Sequence, residues 1–183
     1  MRTRITNSYV ERVYSLYMKR IGDAKLVLIE DTRNKPDKNK HIRDQLEALG
    51  YKVVRSKLYC GDYSFVTDQS VCVDTKKNMN EIESNLIHDH ERFRNECIRA
   101  KEAGIELIIL IQDSRIKSVN EVFGWWNPRL KFSKKATTGR TLGKIMYSMR
   151  ENYGVRFEFC KKSECGEKII ELLKGEKHER TEV

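Results

Sequence analysis

The sequence predicts one α/β domain with a mixed central β-sheet that is covered by helices on both faces. Segments with the apolar spacing of helices alternate along the chain with short apolar runs that are typical of buried strands. The chain has 183 residues, enough for one domain with its own core. Apolar residues make up 39% and charged residues 34%, and no apolar run approaches the ~18 residues of a membrane span. A membrane-spanning protein and a fully disordered chain are therefore excluded.

The first predicted element is an amphipathic helix at residues 8–21. Its apolar residues recur at helical spacing, and Ser8 with Glu11 forms a capping box. The expected organisation is a helix at 1–22 packed on the domain, a single domain at 23–175 and a polar tail at 176–183.

The next segments are predicted to form strands around one helix. Residues 25–31 are an apolar run that ends in acids, as in a buried strand, and residues 32–39 form a polar loop. A helix at 41–49 is closed by Gly50. Turn-forming residues then separate three strands, which we expect to form a meander: 51–58, 63–67 and 71–74.

The second half of the chain begins with a long predicted helix at 80–103, which ends at Gly104. Residues 107–111 are the most apolar strand and are expected to lie centrally in the sheet. An irregular basic segment follows at 114–137. The remaining elements are a helix containing Leu142 to Met149, a strand at 155–160 and a last helix containing Ile169 to Leu173. This order favours a mixed sheet between two helical layers.

The net charge of +9 is concentrated in two places. Residues 1–22 contain five basic residues and one acidic, and residues 114–150 contain nine basic residues and one acidic. No Asp or Glu occurs from Asn127 to Arg150, whereas ordinary surfaces mix both signs. The pattern favours contacts with the phosphates of nucleic acid, with a solvated charged face as the alternative. The candidate residues are Arg129, Lys131, Lys134, Lys135, Arg140 and Lys144.

Two other features leave alternatives open. Trp125 and Trp126 lie beside the basic run, where they would stack on exposed bases, or one fills the core while the other covers an adjacent face. On the long helix, Arg92, Arg94 and Arg99 either contact phosphates or form ion pairs with neighbouring glutamates.

Two carboxylates and a lysine are the candidate chemical centre. Asp62 precedes one strand, and Asp74 and Lys76 lie two residues apart at the end of the next, so their side chains point the same way. Two carboxylates can hold Mg²⁺, while Lys76 would orient or deprotonate a water or neutralise charge on a scissile phosphate. Asp31 ends another strand and would complete the cluster. The alternative is a turn residue at Asp62 and a solvated strand end at Asp74 and Lys76.

These residues resemble the XPF-type nuclease domain, a branch of the PD-(D/E)XK endonuclease superfamily. The resemblance is carried by five segments: Asp-Thr-Arg at 31–33, Gly-Asp-Tyr at 61–63, Val-Asp-Thr-Lys-Lys at 73–77, Glu-Arg-Phe-Arg-Asn-Glu at 91–96 and the strand at 107–111. The tail is similar to that of the short, stand-alone phage and bacterial members, which have a helix and then a strand like Tyr-Gly-Val at 153–155.

The resemblance implies a restriction-endonuclease-like fold and a metal-dependent DNA endonuclease that cuts flaps, forks or junctions in repair or recombination. It assigns Asp31, Asp62 and Asp74 as ligands of Mg²⁺, for which Mn²⁺ can substitute, and Lys76 to the water. Arg33 is assigned to the substrate site. The implied partners are DNA and a second copy of the chain, without a membrane. Five cysteines and no secretory leader favour a cytoplasmic setting, in a bacterial or phage-infected cell.

The sequence departs from the family pattern at three positions of the site. Asp74 is one methylene shorter than the glutamate that the family usually has. Thr75 replaces an arginine, and Asn34 replaces a glutamate that often follows the first motif; the acid expected after Lys76 falls on Glu81. These departures motivate a second hypothesis, a nucleic-acid-binding module with a degenerate nuclease site. A third is a dimeric junction-resolving or restriction-type endonuclease.

Overall fold

A computed structural model describes residues 27–35 and 37–175 and shows a six-stranded mixed sheet between two helical layers. This confirms the predicted fold class. The predicted helix at 8–21 and the polar tail at 176–183 lie outside the described residues. Among the helices of the described part, none is long and apolar enough to cross a membrane.

The strands are β1 (Val27–Asp31), β2 (Lys52–Ser56), β3 (Tyr63–Phe65), β4 (Val71–Lys76), β5 (Glu106–Gln112) and β6 (Arg156–Cys160). The helices are α1 (Lys40–Ala48), α2 (Met79–Ile87), α3 (His90–Glu102), α4 (Val119–Val122), α5 (Gly139–Tyr153) and α6 (Cys165–Lys174). Short 3₁₀ turns occur at Pro128–Lys131 and Lys162–Glu164.

The strand order across the sheet is β2-β1-β3-β4-β5-β6. Of these six strands, β3 alone runs opposite to the others, since it pairs antiparallel with both β1 and β4 while the other pairs are parallel. The end of β1, the start of β3 and the end of β4 therefore meet at one edge of the sheet. This single reversed strand is what allows residues from three strands to converge.

The predicted meander is wrong for its first strand. β2 pairs in parallel with β1, with Val27 opposite Lys52, and does not neighbour β3. The reason is that α1 lies between β1 and β2 in the sequence, and a helical crossover of this kind returns a strand parallel to its predecessor. The β3–β4 hairpin is as predicted.

The two faces of β5 belong to two different cores. Leu107, Ile109 and Ile111 pack with the buried faces of α2, α3, α4 and α5. Ile108 and Leu110 point to the opposite face and pack with α1 and α6. As predicted, this most apolar strand lies inside the sheet, buried on both faces between β4 and β6.

The long helix predicted at 80–103 is two helices, with a break at His88 and Asp89. The apolar pattern did not reveal the break, because Leu86 of α2 and Phe93 of α3 are seven residues apart, a spacing that one continuous helix also gives. Asp and His are weak helix formers, which favours the interruption at this point.

Candidate active site

Side chains from β1, β3 and β4 meet at the shared edge of the sheet. Asp31 ends β1, Asp62 directly precedes β3, and Asp74 with Lys76 ends β4. All four line one cavity of about 410 Å³, which α2 and α3 close from the side. The predicted convergence is therefore present, and the alternative of a solvated strand end is wrong because Asp74 and Lys76 are both buried.

Gly61 places Asp62 in the cavity. Its φ of +70° lies in the left-handed region, and a Cβ there would lie 3.1 Å from Cys72 Cβ and 3.2 Å from the Val73 carbonyl oxygen. Only glycine meets both conditions without strain. The Asp62 amide then donates to the Val73 carbonyl at 2.8 Å, and the Asp31 amide donates to the Asp62 carbonyl at 2.9 Å. The backbone of Asp62 thus joins β1 to β4.

Two of the three departures from the family pattern, Asn34 and Thr75, contact the Asp62 carboxylate. The Thr75 amide and hydroxyl donate to Oδ2 at 3.0 and 2.6 Å. The Asn34 side-chain amide donates to Oδ1 at 2.7 Å. These bonds fix the orientation of the buried carboxylate and leave acceptor capacity on Oδ1, since each carboxylate oxygen accepts about two hydrogen bonds.

Asp74 and Lys76 form a buried ion pair. Lys76 Nζ lies 3.0 Å from Oδ1 and 2.8 Å from Oδ2 of Asp74. Burial raises the pKa of Asp74 to about 7; the Lys76 charge opposes this rise, while the charges of Asp62 and Glu96 add to it. Burial by itself would lower the pKa of Lys76, but the Asp74 charge outweighs it, so that pKa is raised. Lys76 is therefore protonated beside Asp74.

Each oxygen of the Asp31 carboxylate accepts two hydrogen bonds from neighbouring groups. Its Oδ1 accepts from the Arg33 amide at 2.7 Å and from Arg33 Nε at 2.8 Å, and its Oδ2 accepts from Arg33 Nη2 at 2.9 Å and from the Leu58 amide at 2.7 Å. Burial raises the pKa of Asp31, but these hydrogen bonds outweigh it and the pKa is lowered. The four bonds fill the acceptor capacity of the carboxylate, so Asp31 anchors Arg33 at the rim.

We expect Asp31→Asn to lower the free energy of unfolding by about 2–3 kcal/mol in EDTA, because a buried charge-assisted network loses its acceptor. Urea denaturation measures this. The matched control is Asp44→Asn, whose carboxylate forms an exposed ion pair with Lys40 on α1; that variant should stay within about 0.5 kcal/mol of the parent protein. Equal effects of the two substitutions would contradict a structural role for Asp31.

Sequence reasoning did not assign Glu96 to the site. Arg92, Glu96 and Arg99 lie on one face of α3 and all line the cavity, and Glu96 Oε1 accepts from the Gly61 amide at 3.1 Å. Their spacing of four and three residues is the signal that could have placed them together. Among the described residues, Arg92 and Arg99 form neither salt bridges nor side-chain hydrogen bonds, so the predicted ion pairs with glutamates are wrong for these two.

The predicted acid after Lys76, Glu81, also lines the cavity. It accepts from the Lys77 amide at 2.7 Å and from Lys38 Nζ at 3.2 Å. Hydrogen bonding to these groups lowers its pKa in spite of burial, which alone would raise it. Glu81 therefore contributes a negative charge to the cavity and holds Lys38 at its rim.

The basic segment after β5 lies away from the cavity. Of the seven predicted DNA-binding residues, Arg33 lines the cavity and the other six do not. Arg129 contacts the neighbouring helix α2, with Nη1 3.5 Å from Glu83 Oε2 and 3.1 Å from His88 Nε2. The remaining five are exposed. The cations at the rim of the cavity are instead Arg33, Lys38, Arg92 and Arg99.

The cavity carries five carboxylates, but within residues 27–35 and 37–175 no three or more His, Cys, Asp or Glu side chains are already gathered as metal ligands. Asp74 is turned onto Lys76, and Asp31 onto Arg33. Unused acceptor capacity remains on Asp62 Oδ1, on Asp74 and on Glu96. These hard oxygen atoms fit a cation such as Mg²⁺ better than Asp31 does.

Both the sequence and the fold of this chain are similar to those of known proteins. The ERCC4 domain family model matches residues 31–172. A solved structure of XPF from Aeropyrum pernix has a TM-score of 0.57 and 19% identity, covering 86% of this chain and 64% of that one. A second, of the same protein in complex with DNA, has a TM-score of 0.59, 19% identity, and coverage of 86% and 68%. No curated protein matches the sequence significantly.

The likeness to these structures is one of fold, since the identity is only 19%. The chain spans 64% of the length of the first structure, so it corresponds to a part of that protein.

Proposed function

This chain belongs to the ERCC4 domain family, as an XPF-type nuclease domain, and we propose that it is an endonuclease that hydrolyses phosphodiester bonds in DNA. The observation that carries the proposal is the convergence of Asp62, Asp74 and Lys76 in one charged cavity. Paired carboxylates with a neighbouring lysine suit the hydrolysis of a phosphodiester, because they can bind a cation and manage the charge that develops on phosphate.

We propose that the reaction depends on a divalent cation, Mg²⁺ or Mn²⁺ in its place. Asp62 and Asp74, with Glu96, would hold it through oxygen atoms, and Asp31 would act by anchoring Arg33. When bound, such an ion stabilises charge on the phosphate and lowers the pKa of a bound water. The fit rests on the unused acceptor positions of Asp62, Asp74 and Glu96, which all line the cavity.

The residues of the chain supply the other parts of the proposed site. Lys76 carries a proton and donates hydrogen bonds through Nζ, so in this state it is a positive charge for the phosphate and not a proton acceptor. Arg92 and Arg99 lack competing carboxylate partners among the described residues and are free to contact backbone phosphates beside the scissile one. Asn34 and Thr75 hold Asp62 in its orientation.

The preferred substrate in this proposal is branched or otherwise structured DNA, such as a flap, fork or junction. This preference comes from the family resemblance. The support for DNA as a partner is the cationic rim of the cavity and the ERCC4 domain match.

A cleavage panel tests the proposal. Labelled duplex, flap, splayed-arm, junction and single-stranded DNA are incubated with the protein in Mg²⁺, in Mn²⁺ and in EDTA. We expect metal-dependent cutting that is fastest on a branched substrate and absent in EDTA. Cutting of equal rate in EDTA would overturn the metal dependence, and no cutting of any substrate would overturn the proposed activity.

The same panel distinguishes the proposed endonuclease from the second hypothesis, a nucleic-acid-binding module with a degenerate nuclease site. One observation favours it: no group of three ligands is gathered in the described part of the chain. Binding of branched DNA without cleavage in either metal would be its signature. Symmetric paired nicks in a junction would instead indicate the dimeric, junction-resolving alternative.

A further inference from the structure

Two aromatic side chains stand exposed on the segment between β5 and α5. The Phe132 side chain is 91% exposed and Trp126 is 53% exposed, whereas the neighbouring Trp125 is buried in the core. The prediction that one of the two tryptophans fills the core is therefore confirmed for Trp125, while Trp126 lies outside the core. With so little covered, Phe132 has both faces of its ring open to a ligand.

The segment that carries these rings is held in place. Asn127 is fully buried, and its side chain accepts from the Arg129 amide at 3.0 Å and donates to the Thr137 carbonyl at 2.9 Å, which ties the two ends of the segment together. Arg129 also contacts α2 through Glu83 and His88. Phe132 is therefore presented on an ordered support, so less conformational entropy is lost when a ligand binds.

The charge around the rings has one sign. Lys131 places its ammonium 5.5 Å from the centre of the Trp126 ring, and Lys134 and Lys135 follow Phe132 closely in the sequence. No acid occurs from Asn127 to Arg150. We refer to Trp126, Lys131, Phe132, Lys134 and Lys135 as the Trp126–Lys135 surface. Its chemistry complements a polyanion that also offers flat apolar rings.

We propose that the Trp126–Lys135 surface binds an unpaired strand of DNA, with its bases stacked on Phe132 and Trp126 and its phosphates near the lysines. Single-stranded nucleic acid combines exposed ring faces with a charged backbone, and proteins bind it through aromatic rings in basic grooves. In a duplex the ring faces are hidden in the stack, so the surface discriminates against it. The proposal rests on the proposed DNA endonuclease function and adds a second contact to it.

The location of this surface would allow it to position the DNA substrate relative to the cavity. Helix α2 contacts Arg129 through Glu83, and it lines the catalytic cavity with Glu81 and Asn85. Arg129, which lies between Trp126 and Lys131 in the sequence, and the cavity are therefore on two sides of one helix, about 10–12 Å across. A strand held on Phe132 would leave the adjoining DNA near the cavity, which selects substrates with a single-stranded arm.

The test is the affinity of the full chain for a labelled oligo(dT) strand in EDTA, compared with an abasic strand of the same length and with a duplex. The abasic strand keeps the phosphates and lacks the rings. We expect tighter binding of oligo(dT) than of either competitor. Phe132→Ala should weaken oligo(dT) binding roughly tenfold, about 1.4 kcal/mol, and leave binding of the abasic strand unchanged.

Substitutions at the same position separate stacking from general apolar contact. Phe132→Tyr keeps a flat ring and should bind oligo(dT) within about twofold of the parent chain, whereas Phe132→Leu should behave as Phe132→Ala. Leu49→Ala removes another exposed apolar side chain, at the end of α1 on the opposite face of the sheet, and should have no effect. Full affinity in Phe132→Leu, or equal binding of oligo(dT) and the abasic strand, would overturn the proposal.

Two further outcomes are decisive. If Phe132→Ala leaves oligo(dT) affinity intact and instead converts a dimer to a monomer in sedimentation, the surface joins two copies of the chain and the proposal fails. Because binding is measured in EDTA, it is independent of cleavage. A protein that binds oligo(dT) through Phe132 but cuts no DNA would retain this inference and overturn the proposed function.

Discussion

Replacing Asp74 by asparagine is expected to lower the rate of DNA cleavage by about 10³-fold or more. The substitution removes the negative charge of a proposed metal ligand and keeps its size, and stabilisation of charge by a metal contributes several kcal/mol to such reactions. The introduced amide still has an oxygen that can accept from Lys76, so the fold should persist. Single-turnover cleavage of the best DNA substrate in Mg²⁺ measures the loss.

The controls for Asp74→Asn address binding and position. DNA affinity in EDTA should remain within about twofold of the parent protein, because Asp74 lies buried behind the rim. Asp68→Asn changes an exposed aspartate in the β3–β4 turn, at the opposite edge of the sheet, and should cut at the parent rate. Undiminished cleavage by Asp74→Asn would place the chemistry elsewhere in the molecule.

Lys76→Met should lower the rate of cleavage and, at the same time, increase the stabilisation of the protein by Mg²⁺. Cleavage should fall by about 10²-fold or more, because the charge and the proton at Nζ are lost. The protein without metal should lose about 3 kcal/mol of unfolding free energy, since a buried carboxylate is left without its partner. The stabilisation gained on adding Mg²⁺ should exceed that of the parent protein, because Asp74 is no longer occupied by lysine.

Thermal unfolding with increasing Mg²⁺, measured beside cleavage, checks the Lys76→Met prediction. Lys77→Met is the matched control, an exposed neighbour that makes no side-chain ion pair among the described residues. It should unfold and respond to Mg²⁺ like the parent protein. If Lys76→Met gained no more from Mg²⁺ than Lys77→Met, then Lys76 and the ion would not compete for Asp74.

Most of the sheet could be predicted because burial imposes a visible pattern on its strands. The run at 107–111 is apolar at every position, as expected of a strand buried on both faces, and the hairpin at Tyr63–Phe65 and Val71–Lys76 is marked by its turn residues. Which strands pair with each other was harder to predict from the sequence. The position of β2 beside β1 follows from the crossover through α1, and local apolar periodicity carries no record of which strands become neighbours.

In the candidate site, too, some residues could be predicted from the sequence and others could not. Asp62, Asp74 and Lys76 could be selected from spacing, because alternation along a strand fixes which side chains share a face. The hydrogen bond from the Leu58 amide to Asp31 could not, because these two residues are 27 positions apart and meet only after the sheet has formed. Glu96 was missed for the same reason: it reaches the site through the Gly61 amide on another element.

The sequence by itself determined the fold class, the family resemblance and the candidate residues of the site, because side-chain type and short-range spacing are local properties. The tertiary structure alone decided which cations border the cavity. The acid-free segment is conspicuous in the sequence, but none of its six candidate DNA-binding residues lines the cavity, while Arg92 and Arg99 reach the rim because α3 packs against that edge of the sheet. The distance of a charged residue from the cavity depends on how the helices pack on the sheet. The distribution of charge along the sequence gives no information about that packing.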